Sequence, residues 1–317
     1  MYQITHNDYL RYVYNGNPSQ SSRQNLFDKW DVVIDPTSPI EKLGTLKEET
    51  HKIARLLYDR LKSLTPKINV FFSGGIDSEC IVRSFHTQGI PINPIIMIHK
   101  HVPNSAETLR AKRVCKELGL IPTLIDINLL DLYTKNILYD LGRKYQSCRL
   151  GIIENAYAIE LLGEPCIIGD EIQLEYRTGG ADLLTTDNVR PNKWYYYIQE
   201  DQDGIYDRIA RINKFPMICN FFLYTHEGWA ALLLAKNIKE IVLKNRGKTS
   251  SLTTKNIMMS KEFGVEFREK TSVLVTGQYG NIRNQLRRKL TMDLLPHTIV
   301  YLEYTELLRK LGITLAQ

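Results

Sequence analysis

Residues 68–78 read Ile-Asn-Val-Phe-Phe-Ser-Gly-Gly-Ile-Asp-Ser, and this stretch decides the fold class of the 317-residue chain. The first five residues are mostly apolar and β-prone, which is typical of a buried strand, and the Gly-Gly pair ends it. Apolar residues at helical spacing follow and predict a helix whose inner face is formed by Cys80, Ile81, Val82 and Phe85. A strand, a short glycine loop and a helix in this order indicate the first crossover of a parallel sheet.

The alternation of strand and helix continues on both sides of this stretch. Further strands are predicted at 94–98, 122–127 and 165–168, and helices at 45–61, 105–119, 129–142 and 149–163. Right-handed crossovers of this length place helices on both faces of a mostly parallel sheet. We therefore predict an α/β, doubly wound fold, with this domain spanning residues 46–180.

The remaining residues are predicted to form two flanking regions. Residues 1–45 are polar with scattered aromatic residues, and we interpret them as an N-terminal extension. Residues 181–317 are predicted to be mainly helical, with helices at 227–245 and 282–295. The aromatic run 194–197, Trp-Tyr-Tyr-Tyr, is interpreted as packing in preference to a lid or a stacking platform.

Composition excludes several classes of protein. With 43% hydrophobic and 24% charged residues the chain is neither disordered nor fibrous. No apolar run reaches the roughly 18 residues that a membrane span needs, so no membrane partner is expected. The five cysteines are an odd number at wide spacing, which argues against a disulfide framework or a zinc site and favours a reducing, cytoplasmic location.

The charge is segregated along the chain. The net charge is +6, but residues 241–317 contain 13 basic and 6 acidic residues, so the rest of the chain is close to neutral. A basic C-terminal region of this kind binds a polyanion such as nucleic acid, or it is a solvated helical surface. Both interpretations stay open for the basic group Arg283, Arg287, Arg288 and Lys289.

The glycine loop has the properties of a phosphate-binding site. Gly74 and Gly75 let the backbone approach an anion closely, and Ser73 and Ser78 add hydroxyl donors. The start of the following helix, at Ile76, adds a positive dipole. The lysine of a Walker A loop and the G-x-G-x-x-G pattern of a dinucleotide fingerprint are both missing. The competing interpretation is an ordinary turn between a strand and a helix.

Asp77 is the informative position in this loop. A carboxylate at the mouth of an anion site repels the ligand unless a divalent cation lies between them. We therefore expect Asp77 to hold Mg²⁺ against the phosphates and to be essential for catalysis.

The six residues 73–78 resemble the signature of the PP-loop, or N-type, ATP pyrophosphatases, a superfamily with the fold of the adenine nucleotide alpha hydrolases. The resemblance covers about residues 65–180. It implies a five-stranded sheet and ATP with Mg²⁺ as cofactors. It also implies adenylation of a substrate oxygen with release of pyrophosphate, followed by displacement of AMP by a nucleophile.

A second segment resembles the asparagine synthetase branch of this superfamily. Residues 166–171 read Cys-Ile-Ile-Gly-Asp-Glu, with Gly169 in the turn that follows a strand. The resemblance implies that Asp170, or Glu171 in its place, joins Asp77 on the metal. It also places adenine at the end of the second strand, near Ile98 and His99, and a mobile catalytic cation in the basic loop 244–248, for which Lys248 is the candidate.

The predicted function is an AMP-forming ligase or amidotransferase-like enzyme that forms a carbon–nitrogen bond on a small molecule with an activatable oxygen. One alternative is a nucleic-acid modification enzyme that uses the same chemistry, and another is a non-catalytic adenine-nucleotide sensor. Arg143, Lys144 and Arg149 are further candidates for phosphate or carboxylate contacts. A thiol role for Cys148 and Cys166 is the weaker interpretation beside simple burial.

Overall fold

The structure, a computed structural model, describes residues 9–17, 19–20, 23–24, 28–100, 105–169, 174–177, 190–244, 260–265, 278–294 and 299–313. The strands are β1 (Leu10–Tyr14), β2 (Trp30–Ile34), β3 (Ile68–Phe71), β4 (Ile92–His99), β5 (Thr123–Ile127), β6 (Cys166–Ile167), β7 (Leu174–Arg177), β8 (Lys193–Gln199), β9 (Met217–Ile218) and β10 (Ile299–Glu303). The helices before residue 200 are α1 (Leu46–Leu61), α2 (Ile76–Thr87), α3 (Ala106–Glu117), α4 (Leu129–Thr134), α5 (Ile137–Tyr145) and α6 (Leu150–Leu162). Those after it are α7 (Ile205–Asn213), α8 (His226–Leu233), α9 (Ile238–Lys244), α10 (Gln278–Asp293) and α11 (Tyr304–Lys310).

A five-stranded parallel sheet forms the centre of the described molecule, in the order β5-β4-β3-β6-β9. Phe71 of β3 lies opposite Ile95 of β4, and Val70 lies opposite Ile167 of β6. The predicted α/β, doubly wound, five-stranded sheet is therefore confirmed. Its fifth strand, β9, lies beyond residue 180, so the sheet continues into the part of the chain that we expected to be mainly helical.

The strands are buried on both faces of the sheet. Their successive side chains point to opposite sides and so enter different apolar clusters. Val70 and Phe72 join one apolar cluster with residues of α1, α2, α3 and α8. Phe71 and Ile95 join a second cluster with residues of α4, α5, α6 and α7. This alternation explains why the strand at residue 68 is continuously apolar apart from Asn69.

The strand order reverses between β3 and β6. The chain leaves β3 through α2 on one face of the sheet, and it enters β6 from α6 on the other face. The loops that follow these two strands therefore diverge and leave a crevice at the carboxyl edge of the sheet, where open α/β sheets place their ligands. Residues 72–75 and Gly169 lie on either side of this crevice.

Local signals define the ends of two predicted helices. Thr45 begins α1 with a reciprocal capping box to Glu48. Ser105 begins α3 and accepts a hydrogen bond from the Thr108 N–H. Gly119 follows α3 in the left-handed region, with φ of +67°.

Two helices predicted as continuous are broken, which corrects the sequence analysis. The segment 129–142 divides into α4 and α5 at Asn136, and the segment 227–245 divides into α8 and α9 at Asn237. Both asparagines have left-handed backbones, with φ of 58° and 65°. Asn tolerates this conformation better than other residues with a side chain beyond Cβ, so each acts as a break that apolar periodicity does not reveal.

The N-terminal residues pack against the core as the antiparallel hairpin β1–β2. The Tyr9 hydroxyl donates to the Leu223 carbonyl oxygen at 2.6 Å. Arg23 and Glu200 form a buried ion pair of 2.6 Å, and Glu200 also accepts from Tyr14. The domain limits at residues 45 and 180 stay predictions, although this extension shares the apolar core of the sheet.

A second, antiparallel sheet of β10, β8 and β7 lies in the C-terminal part. The aromatic run forms most of β8, where Tyr195 and Tyr196 are buried and Tyr196 packs edge-on to Trp229 at 5.2 Å. Packing is thus the role that the structure gives to these two rings. None of the helices in the described parts of the chain is long and apolar enough to cross a membrane.

Candidate functional site

The loop between β3 and α2 is held by hydrogen bonds among its own residues. The Oγ atoms of Ser73 and Ser78 lie 3.2 Å apart, within hydrogen-bonding distance. The Gly75 N–H donates to Ser73 Oγ at 3.2 Å, and Ser78 Oγ donates to the Gly75 carbonyl oxygen at 3.1 Å. The two predicted hydroxyl donors therefore meet across the loop, although five positions separate them in the sequence.

The two glycines of the loop serve different needs. Gly74 has a left-handed backbone with φ of +78°, and a Cβ there would lie 2.2 Å from the Glu107 carbonyl oxygen. Gly75 has an ordinary φ of −75° and is the N-cap of α2 without a side-chain cap. A Cβ on Gly75 would lie 3.2 Å from Ser73 Oγ, so it would enter the cradle of the loop itself.

The N-terminus of α2 faces this cradle. The first four N–H groups of an α-helix have no partner within the helix, and the helix dipole adds partial positive charge there. Ile76 is buried and anchors the first turn in the core. Because Gly75 carries no capping side chain, the helix start is suited to an anion that takes the place of a cap.

Asp77 and Glu79 are the acidic residues of the first turn of α2, and they have different surroundings. Glu79 is buried and accepts from Arg83 Nε at 2.9 Å. Asp77 is half-buried and lies beside Ser78 at the mouth of the loop. A carboxylate is the hard oxygen ligand that Mg²⁺ prefers, so Asp77 would supply one ligand to a magnesium ion at this loop.

The second metal ligand that we expect beside Asp77 stays a prediction. Asp170 and Glu171 lie outside the described residues, as does Lys248. Among the described residues, no group of three His, Cys, Asp or Glu side chains is arranged to hold a metal ion.

The second predicted segment does reach the loop. A Cβ added to Gly169 would lie 3.5 Å from the Ser78 nitrogen and 3.6 Å from the Ser78 Cβ. Ile168, just before it, donates its N–H to the Ile218 carbonyl oxygen at 2.8 Å and so continues the sheet. The turn after β6 therefore lies against the start of α2, which brings the two sequence motifs together.

The end of β4 forms the next part of the same sheet edge. Ile98 is buried, and His99 is half-buried. Burial lowers the pKa of His99, because the charged imidazolium is less well solvated there than the neutral ring. Its Nδ1 atom is buried and has no hydrogen-bond partner among the described residues. A polar atom in this state fits a ligand that hydrogen-bonds at the strand end.

Sequence reasoning missed Arg110, one of the cations beside the loop. Its Nη1 donates to the Gly74 carbonyl oxygen at 3.1 Å, and the side chain is half-buried. Arg110 lies in α3, 36 positions after Gly74, in a run of charged residues that looks like a solvated face. No pattern in the sequence reveals that the first turn of α3 touches the loop.

The other predicted cations are engaged elsewhere. Lys144 forms an ion pair with Glu160 at 2.7 Å, and Arg149 begins α6 and donates to Gln199. Arg143 lies near Tyr139 on α5. Contacts with a phosphate or a substrate carboxylate stay predictions for these three residues.

The basic group on α10 is divided by the fold. Arg283 lies 3.9 Å from the Glu154 carboxylate, and Lys289 Nζ lies 3.8 Å above the ring of Tyr139. Arg287 and Arg288 are exposed. Half of the group therefore attaches α10 to the core helices, and binding of nucleic acid stays a prediction.

The two cysteines considered for chemistry differ in exposure. Cys166 is buried in β6, and burial raises the pKa of its thiol well above the ordinary value. Cys148 is half-buried. A thiol with a raised pKa is a poor nucleophile, so Cys166 has the properties of a packing residue.

Comparisons with known proteins give a limited picture. No family model and no curated protein matches the chain. Among solved structures, the chain is similar to the NH3-dependent NAD synthetase from Campylobacter jejuni subsp. jejuni NCTC 11168, solved in complex with the nitrate ion. The match has a TM-score of 0.30 and 18% identity, and it covers 72% of this chain and 100% of that one. A likeness at this TM-score does not assign a function to the chain.

Proposed function

We propose that the chain is an ATP-dependent, AMP-forming enzyme that adenylates an oxygen of its substrate and releases pyrophosphate. The observation that carries this proposal is the meeting of three segments at one edge of the sheet. They are the serine-bridged glycine loop, the Gly169 turn against Ser78, and the His99 strand end with its buried Nδ1 atom. This edge is the ligand site of open α/β sheets.

Each segment has a proposed task in binding ATP. The uncapped start of α2 and the hydroxyls of Ser73 and Ser78 bind the β,γ-phosphates. Asp77, with Asp170 as its expected partner, holds Mg²⁺, which neutralises charge on the phosphates when bound. Ile98 and His99 receive the adenine ring.

The proposed reaction transfers the adenylyl group. A substrate oxygen attacks the α-phosphorus of ATP, the bond from that phosphorus to the bridging oxygen breaks, and the electron pair leaves with pyrophosphate. The uncapped helix start stabilises the charge that develops on the leaving group. A nucleophile then attacks the activated carbon and AMP departs.

The finer assignment is an asparagine synthetase-like ligase that forms a carbon–nitrogen bond on a carboxylate. It is supported by the resemblance of residues 166–171 to that branch and by the Gly169 contact with Ser78. In this assignment Lys248 is the mobile cation that meets the departing pyrophosphate. The resident location would be the cytoplasm, where ATP and Mg²⁺ are abundant.

The test is pyrophosphate release from ATP and Mg²⁺, measured with carboxylates plus ammonia, with nucleosides and with RNA. Release that depends on a carboxylate supports the ligase, and release that RNA stimulates replaces it with a nucleic-acid modification enzyme. ATP binding without release in any mixture would instead favour a nucleotide sensor.

Asp77→Asn checks the metal role directly. We expect it to abolish Mg²⁺-dependent release while the unfolding midpoint is kept, because the side chain keeps its size and loses its charge. Asp59→Asn, which removes a charge from exposed Asp59 on α1, is the matched control. Unchanged release by the Asp77 variant would refute this role.

A further inference from the structure

The first turn of α3 is built against the phosphate loop. The Glu107 carbonyl oxygen lies 2.2 Å from the position that a Cβ of Gly74 would take, and the Ala111 nitrogen lies 3.1 Å from the same position. Ser105 fixes the start of the helix by accepting from the Thr108 N–H. Helix and loop are therefore in van der Waals contact.

Arg110 lies in the second turn of α3 and binds the backbone of the loop. Its Nη1 donates to the Gly74 carbonyl oxygen at 3.1 Å. A hydrogen bond from a guanidinium is charge-assisted and stronger than a neutral one. The oxygen it binds belongs to the peptide that joins Gly74 to Gly75, and the N–H of that same peptide donates to Ser73 Oγ.

The orientation of this peptide matters for an anion. A carbonyl oxygen carries partial negative charge and repels phosphate, whereas N–H groups attract it. The left-handed φ of Gly74 sets the direction of the peptide, and the guanidinium binds the oxygen on the side of α3. The same guanidinium adds positive charge next to a loop that lacks the lysine of a Walker A motif.

We propose that Arg110 is a positioning residue of the phosphate loop, which holds the Gly74 carbonyl oxygen away from the bound anion and keeps the cradle suited to the β,γ-phosphates of ATP. The inference rests on the proposed function, because it assumes that this loop binds polyphosphate. The inference gives α3, which follows β4, a role in the loop that follows β3.

The experiment measures the dissociation constants of ATP, pyrophosphate and AMP by calorimetry for the full chain, with Mg²⁺ present. The variants are Arg110→Ala and Arg110→Lys. Lys116→Ala, which removes an exposed cation from the last turn of the same helix, is the matched control. The unfolding midpoint of each unliganded protein is recorded alongside.

Arg110→Ala is expected to weaken the binding of ATP and pyrophosphate about tenfold, because the Gly74 carbonyl oxygen is no longer held away from the bound anion. AMP, which lacks the β,γ-phosphates, should bind to it with unchanged affinity. Arg110→Lys keeps a cationic donor and should restore most of the ATP affinity, and Lys116→Ala should bind all three ligands like the unmodified chain.

Three results would overturn the inference. If Arg110→Ala binds ATP and pyrophosphate with the affinity of the unmodified chain, the guanidinium does not position the loop. Equal weakening of AMP, or failure of Arg110→Lys to restore affinity, shows a general structural role. If the unmodified chain binds neither ATP nor pyrophosphate, the proposed function fails and this inference falls with it.

Discussion

Replacing Gly74 by alanine tests the geometry of the loop most directly. The left-handed φ of +78° costs an L-residue about 1–2 kcal/mol. The new Cβ would also lie 2.2 Å from the Glu107 carbonyl oxygen, whereas ordinary contact begins at 3.4 Å. Loop and helix would have to separate by about 1 Å, and forced overpacking of this kind costs about 1–3 kcal/mol.

The expected loss for Gly74→Ala is therefore about 2–5 kcal/mol of unfolding free energy, a large part of the total for a typical domain. Gly89→Ala is the matched control, because Gly89 has φ of +65° and a Cβ there would meet nothing within 4 Å. Gly89→Ala should lose only the free energy that comes from the left-handed backbone, about 1–2 kcal/mol.

Urea unfolding followed by circular dichroism measures both variants, and the slope m should stay equal so that the midpoints report stability. The difference between the two variants isolates the contact of the loop with α3. If Gly74→Ala loses no more stability than Gly89→Ala, then Glu107 does not lie against the loop, and the account of how α3 supports the site is refuted.

Two further predictions concern the same edge of the sheet. Gly75→Ala should change stability by less than about 1 kcal/mol, because φ of −75° suits alanine, yet it should weaken pyrophosphate binding measured by calorimetry because its Cβ enters the cradle. Unchanged affinity would place the phosphate elsewhere. For His99, burial lowers the folded-state pKa below the ordinary 6.5, so the unfolded chain binds the proton more tightly and stability is lost as pH falls below 6.5. The urea midpoint should fall more between pH 7.5 and pH 5.5 for the unmodified chain than for His99→Asn. His86→Asn is the matched control. Parallel pH profiles of the unmodified chain and His99→Asn would contradict the burial of His99.

Much of the sheet could be predicted because its signals are local. The run at residues 68–72 is continuously apolar apart from Asn69, since Val70 and Phe71 face different cores on opposite sides of the sheet. The caps at Thr45 and Ser105 are side chains that bond to backbone only three positions away. Interactions of such short range can be predicted from the order of the residues in the sequence.

Two helix breaks and one short strand could not be predicted from the pattern of residues. Asn136 and Asn237 break helices whose apolar spacing continues across them. The two-residue strand β9 is too short to give a pattern of its own, and it exists because β6 offers an edge for it to pair with. Each of these cases was decided by the surroundings of the segment.

The candidate site divides in the same way. Ser73, Gly74, Gly75, Asp77 and Ser78 were identifiable from their order alone, because a glycine loop between a strand and a helix creates its donors and its dipole locally. The approach of Gly169 to Ser78 and the bond from Arg110 to Gly74, 36 positions away, join segments that are distant in the sequence, and the buried Nδ1 atom of His99 depends on the packing around its strand end. Such contacts arise when crossovers bring the carboxyl ends of parallel strands to one edge, and their partners are chosen by packing between helices and strands, which leaves no periodic trace in the chain.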